Sequence, residues 1–196
     1  MTAKREITRS DILAMEDFAA IRQSRRAEIS AIKRHRRAAI GPDATIYFES
    51  YDTMWWQIHE MLYIEKGGEA QIADELAAFN PLIPKGRELV ATLMFEIDDP
   101  ARRAHLLNKL GGVENCVTIT VAGEAIAGVA EDDVERSTDE GRASSVQFLH
   151  FPFTPAQIAA FRDPAKRVVI AIDHAEYGHM TVMAQDVREA LAGDFE

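Results

Sequence analysis

The stretch "YFESYDTMWWQIHEMLYIEK", residues 47–66, holds the residue types best suited to chemistry. At 100° per residue, Thr53, Gln57 and Glu60 fall in one narrow sector of a helix. Met54, Ile58, Met61 and Leu62 form a broad apolar face, and Trp55, Trp56 and Tyr63 cover much of the rest. A helix apolar on so many sides is contacted on several of them. An ionised Glu60 there needs a cation or a proton, because a lone carboxylate in a dry site is costly.

The N-terminal segment offers the cations. Phe18, Ile21, Ile29 and Ile32 mark its apolar face. Arg22, Arg25, Lys33 and Arg36 fall on or beside that face, and Arg26 and Arg37 flank it. Purely solvated charges would gather on the opposite side. The pattern predicts that this helix packs near the second one, with cations paired to Glu49, Glu60 or Glu65.

Two readings follow. In one, the pairs are a structural network that holds two helices in register. In the other, Arg22, Arg26, Lys33 and Arg36 border a pocket with Glu49, Thr53, Gln57 and Glu60 that takes a small anionic or carboxylate ligand. Arginine suits that role through its bidentate fork. Structural networks perturb charges as much as sites do, so the first reading is the more ordinary.

A second constellation lies in "IDHAEYGHM". Asp173, His174 and His179, joined by His150 from another strand, could hold Fe, Zn or Mn through imidazole and carboxylate. No spaced ligand motif supports it, and turn histidines bonded to backbone are common. The glycines follow neither the GxGxxG order nor a GxxxxGK[ST] loop. Ser144-Ser145 lacks the glycines of a nucleophile elbow. The run "RRAEISAIKRHRR" raises nucleic-acid binding, but interleaved isoleucines and a net charge of −10 weigh against it.

Charge is unevenly spread. Residues 1–40 carry 10 basic and 5 acidic side chains, and residues 41–196 carry 12 and 27. A basic first helix can therefore neutralise the acidic remainder of its own chain. The one cysteine, Cys116, rules out a disulfide within a monomer and any cysteine-rich metal site. No signal-peptide pattern and no membrane-length apolar run are present, which predicts a cytoplasmic protein with no membrane partner.

Those residues must be positioned by a chain of 196, enough for one good-sized core. The spacing predicts a first helix from Ser10-Asp11 to about residue 39, ended by "IGPD". An extended "ATIYFE" follows, then a second helix capped by Asp52 or Thr53 and running to Lys66. After Gly67-Gly68, "EAQIADELAAF" resumes as helix. Beyond residue 86 strands predominate: "ELVATLMFEI", a hairpin in "CVTITVAGEAIAGVA", "SVQFLHFPF" and "RVVIAIDH". Short helices start at Pro100, at "TPAQIAAF" and at "QDVREALAGDF". "DDVERSTDEGRAS" reads as a loop. Helices first and strands later predict an α+β fold: a long N-terminal helical hairpin on a mixed or antiparallel sheet with short helices. The division is a helical region over 1–86 and a sheet region over 87–196, built as one continuous unit. Aromatic sides of the second helix predict a homodimer.

From "KRHRRAAIGPD" through "ATLMFEI" the chain resembles a bacterial family known only as a domain of unknown function. The motif elements are Lys33, Arg36 and Arg37, Gly41-Pro42, Phe48-Glu49, Thr53, Gln57 to Met61, Glu65, Phe79 to Pro84 and Ala91 to Met94. "DHAEYGH" and the closing helix resemble that family too, with Ala175 where a proline is usual. The resemblance covers nearly the whole chain. It implies no settled activity. It implies a redox context, through relatives encoded near rubrerythrin-like and iron–sulfur oxidoreductase proteins, and a redox-protein partner. The leading expectation is an accessory or binding protein acting through protein contacts or a small anionic ligand, with no cofactor. The alternative is a metal-dependent redox enzyme.

Overall fold

Strand β3 (Glu88–Phe95) is buried on both of its faces, as a central strand must be when both sides of its sheet are covered. In the computed structural model, which describes residues 4–131 and 141–196, β3 sits at the middle of the first sheet. That sheet runs β1 (Arg37–Ile40), β2 (Ala44–Phe48), β3, β7 (Val146–Pro152), β6 (Val129–Ala130). The second runs β5 (Glu124–Ala127), β4 (Val117–Val121), β8 (Val168–His174), β9 (Tyr177–Val182). Every pairing in both sheets is antiparallel.

The main core lies between the sheets. Ile46, Leu89, Leu93 and Leu149 of the first join Ile119 and Ile170 of the second in one cluster. Each is fully buried, and they alternate along their strands with residues of the opposite face. The chain passes from β5 in the second sheet to β6 in the first across Gly128. A Cβ there would lie 3.1 Å from the Phe151 ring, so any larger residue would need that ring to give way.

A second seam holds the sheets together at Gly41. Its φ is +71°, and a Cβ would lie 2.5 Å from the His179 ring. Beside it the Tyr177 hydroxyl donates to the Ile40 carbonyl at 2.8 Å and accepts the Asp43 N–H at 2.9 Å. One phenol thus serves the first hairpin from the edge strand of the second sheet.

The outer face of the first sheet carries a helical layer. Helices α1 (Met15–Arg34), α2 (Tyr51–Glu65) and α3 (Glu69–Phe79) bury Met54, Ile58, Leu62, Ile72 and Val90 together. Ser50 caps α2: its hydroxyl accepts the Thr53 N–H, and the Thr53 hydroxyl accepts the Ser50 N–H. Thr53 is thus the third residue of the helix, not its cap. Lys66 ends α2 in the left-handed conformation. Helices α4 (Pro100–Leu107), α5 (Pro155–Arg162) and α6 (Gln185–Ala192) add Leu107, Phe161 and Leu191 to the main core.

The fold is α+β, with corrections to its parts. Helix α1 begins at Met15, after a 3₁₀ turn at Arg9–Asp11, and ends at Arg34. Residues 37–39, expected as the helix end, belong with Ile40 to strand β1, because Arg37 to Ile40 pair with Tyr47 to Ala44. The two long helices pack together but are joined by this β-hairpin. Strands therefore begin before α2, and hydrogen bonds between β2 and β3 cross residue 86. Strand β9 was not expected from its exposed sequence. The loop expected over "DDVERSTDE" lies outside the described residues.

Candidate functional site

Glu49 follows directly on β2, where its N–H donates to the Val90 carbonyl at 2.7 Å. Its carboxylate is buried at 7% exposure and is held from two elements. The Thr53 hydroxyl, one turn into α2, donates to Oε2 at 2.7 Å. The Thr92 hydroxyl, from the neighbouring strand β3, donates to Oε1 at 2.7 Å. Thr92 pairs with Tyr47 in register, which places it on the same sheet face two residues from Glu49. Both threonines are buried, so these bonds act out of reach of bulk water.

The carboxylate borders a cavity of about 290 Å³ between α2, the end of α1 and the outer face of the first sheet. Lys33 and Gln57 share its wall with Glu49. Met54, Phe79, Leu82, Met94, Val146 and Phe148 supply apolar surface. Lys33 is half-buried and forms no ion pair among the described residues. Gln57 makes no side-chain hydrogen bond among them. Glu49 meets hydroxyls and no cation among the described residues.

Arg36 holds the backbone that carries Glu49. Its guanidinium donates to the Phe48 carbonyl at 3.0 Å and the Glu49 carbonyl at 2.8 Å. Its remaining donors meet Asp194, beyond the end of α6. Burial pushes the Asp194 carboxyl above its ordinary value, and the Arg36 charge works against that rise.

The expected candidates therefore separate. Lys33, Glu49 and Gln57 line one cavity, and Thr53 stands behind Glu49. Arg22 and Glu60 satisfy each other through two bonds of 2.7 and 2.9 Å, with the Tyr63 ring 4.9 Å from the guanidinium. Arg25 pairs with Glu28 and Asp52. Arg26 is exposed and makes no such contact among the described residues. Glu65 accepts from Gln71 rather than from α1. Tyr47, Thr92, Met94 and Phe148 complete the cavity but were not identified as site residues. Only the hydroxyl of Thr92 inside an apolar strand could have flagged one of them.

The metal set does not assemble. His150 stands on β7 of the first sheet, whereas Asp173, His174 and His179 stand on β8 and β9 of the second. No group of three His, Cys, Asp or Glu able to hold a metal occurs among the described residues. His174 is a turn histidine: its Nδ1 accepts the Glu176 N–H at 3.2 Å. The His179 ring packs on Tyr177. His150 lies between two carboxylates, with Nδ1 3.0 Å from Glu88 and Nε2 2.5 Å from Glu131. Its Glu88 contact raises its pKa above the ordinary value against the effect of burial, and Glu131 adds to the rise. The aromatic sides of α2, the basis for expecting a dimer, are covered within the chain, since Phe18 packs on Trp55, Trp56 and Tyr63.

A larger groove of about 690 Å³ runs past Lys4, Arg5, His35, Arg36, Asp186 and Asp194. Its charges are already matched: Lys4 with Asp11, Arg5 with Glu196, His35 with Asp186, Arg36 with Asp194. In the smaller cavity, Lys33 and Gln57 have no ion-pair or side-chain hydrogen-bond partner among the described residues.

The family described as "Protein of unknown function (DUF3501)" matches residues 6–195. The chain belongs to this family. A crystal structure of a protein of unknown function from Burkholderia pseudomallei is 35% identical to it, with a TM-score of 0.89. That match covers 97% of this chain and 99% of the other. Comparison with curated proteins gave no match. No helix among the described residues is long and apolar enough to cross a membrane.

Proposed function

We propose that this DUF3501 protein is a cytoplasmic binding or accessory protein that holds a small molecule in the cavity at Glu49. One observation carries the reading. A buried carboxylate, a lysine and a glutamine line one cavity with apolar walls, and none of the three is neutralised or capped by a charged or amide partner among the described residues. The buried Asp43 carboxylate, by contrast, is matched by two 2.7 Å bonds from Arg102. A few converging polar groups on an apolar wall are the usual make-up of a ligand site. The threonines fix the Glu49 oxygens in advance, so little order remains to be gained on binding.

Of the cations first considered for an anionic ligand, Lys33 alone faces this cavity. The ligand is then a small amphipathic molecule with an anionic head at Lys33 and Gln57 and an apolar body against Phe79 and Phe148. Thermal shift and calorimetry with a panel of small aliphatic and aromatic carboxylates test this. Binders should raise the melting temperature, and Lys33→Met should abolish the effect. A panel with no binder, or binding indifferent to Lys33→Met and Gln57→Leu, would remove the reading.

A further inference from the structure

We infer that the ligand of this cavity is a zwitterion, an α-amino acid with an apolar side chain. Its carboxylate meets Lys33 and Gln57, and its ammonium meets Glu49. The inference rests on the cavity reading above and narrows it by charge. Lys33 and Glu49 carry opposite charges in one wall yet form no ion pair with each other. A plain anion drawn to Lys33 would share the cavity with the Glu49 carboxylate, and a plain cation drawn to Glu49 would share it with Lys33. A molecule with both charged groups on one carbon neutralises both at once.

The anchoring of Glu49 supports the same conclusion. Each oxygen already accepts one hydroxyl, from Thr53 or Thr92. A carboxylate has about four lone-pair positions, so further acceptor capacity remains. The group that fills it must be a donor, and a charged donor such as an ammonium makes the stronger bond. Gln57 offers two N–H donors and a carbonyl, which suits a carboxylate beside the lysine. The remaining wall is apolar, with Phe79, Leu82 and Phe148. At about 290 Å³ the space lies near the lower end of the ~300–1,000 Å³ found for ligand pockets, right for one small guest.

The test uses the full chain and three matched ligand series in calorimetry. The first is L-leucine, L-methionine and L-phenylalanine. The second is the same skeletons without the amine, such as 4-methylpentanoate and 3-phenylpropionate. The third lacks the carboxylate, as in 3-methylbutylamine and 2-phenylethylamine. The amino acids should bind about 10–100-fold tighter than either truncated series, the usual value of one charged hydrogen bond. Glu49→Gln should erase the advantage over the acids, and Lys33→Met the advantage over the amines. If the acids bind as tightly as the amino acids, the zwitterion is wrong and the cavity reading stands. If no series binds, the cavity reading falls with it. Should Glu49→Gln fail to fold, the ranking of the three series on the unaltered protein still decides.

Discussion

Arg36 and Asp194, 158 positions apart, meet through two bonds between guanidinium and carboxylate while the same guanidinium grips the carbonyls of Phe48 and Glu49. The side chains are 7% and 12% exposed. One residue between α1 and β1 therefore ties the segment after α6 to the backbone under the cavity.

Removing either partner leaves the other charge buried and unmatched. Arg36→Met or Asp194→Asn should each cost about 3–5 kcal/mol in denaturant unfolding. Arg36→Lys should not restore the loss, since one ammonium cannot reproduce the planar fork. The double replacement should cost less than the sum of the two. By contrast Glu60→Gln, at a pair with an arginine 33% exposed, should move the melting temperature by no more than a few degrees. Equal effects at the two pairs would contradict this ranking.

Two histidines should tilt the pH dependence of stability in opposite senses. His59 is fully buried, takes the Leu13 N–H on Nε2 and donates from Nδ1 to the Trp55 carbonyl, so it is neutral. Burial lowers its pKa below the ordinary 6.5. The unfolded chain then binds a proton that the folded chain does not, and stability falls as pH drops below that value. His150 has a raised pKa, so its contribution is complete below 6.5 and is lost as pH rises through the higher folded value. Urea unfolding from pH 5 to 9 should show His59→Gln flattening the acid limb and His150→Gln the alkaline limb. Identical profiles for the two variants would exclude this assignment.

Thr92→Val keeps the shape of the side chain and removes one of the two hydroxyls on Glu49. It should lower stability by about 1.5–3 kcal/mol, the value of a hydrogen bond to a charged group. It should also weaken any ligand bound at Glu49. A neutral result in both assays would show that the Thr92 hydroxyl does not hold the carboxylate.

Much of the helical layer could be read from periodicity. The Thr53–Gln57 line and the cations of α1 were visible because helical spacing is local, and an α1 cation paired to Glu60 followed from burial and charge together, though not which cation. The end of α1 was not, because "RHRRAAI" has ordinary helical propensity. Its strand form is set by pairing with residues 44–47, a contact that spacing does not encode. Strand β9 escaped for a related reason: Gly178, His179 and Met180 are all exposed, so no alternation marks them. The cavity was half legible. Glu49 and Thr53 lie four residues apart, but Thr92 and Phe148 reach the same place only through sheet register.

The hydroxyl of Tyr177 serves two backbones of the neighbouring sheet, and Gly41 lets the His179 ring close against the turn. That corner acts as a rivet, and shear between the two sheets would have to break it. Breathing around a guest then falls to the helical side. There α3 is flanked by Gly67-Gly68 and by Pro81 and Pro84, and a side chain at Gly68 would meet nothing within 4 Å. Amide protons of β2 and β3 should accordingly outlast those of α3 in hydrogen exchange.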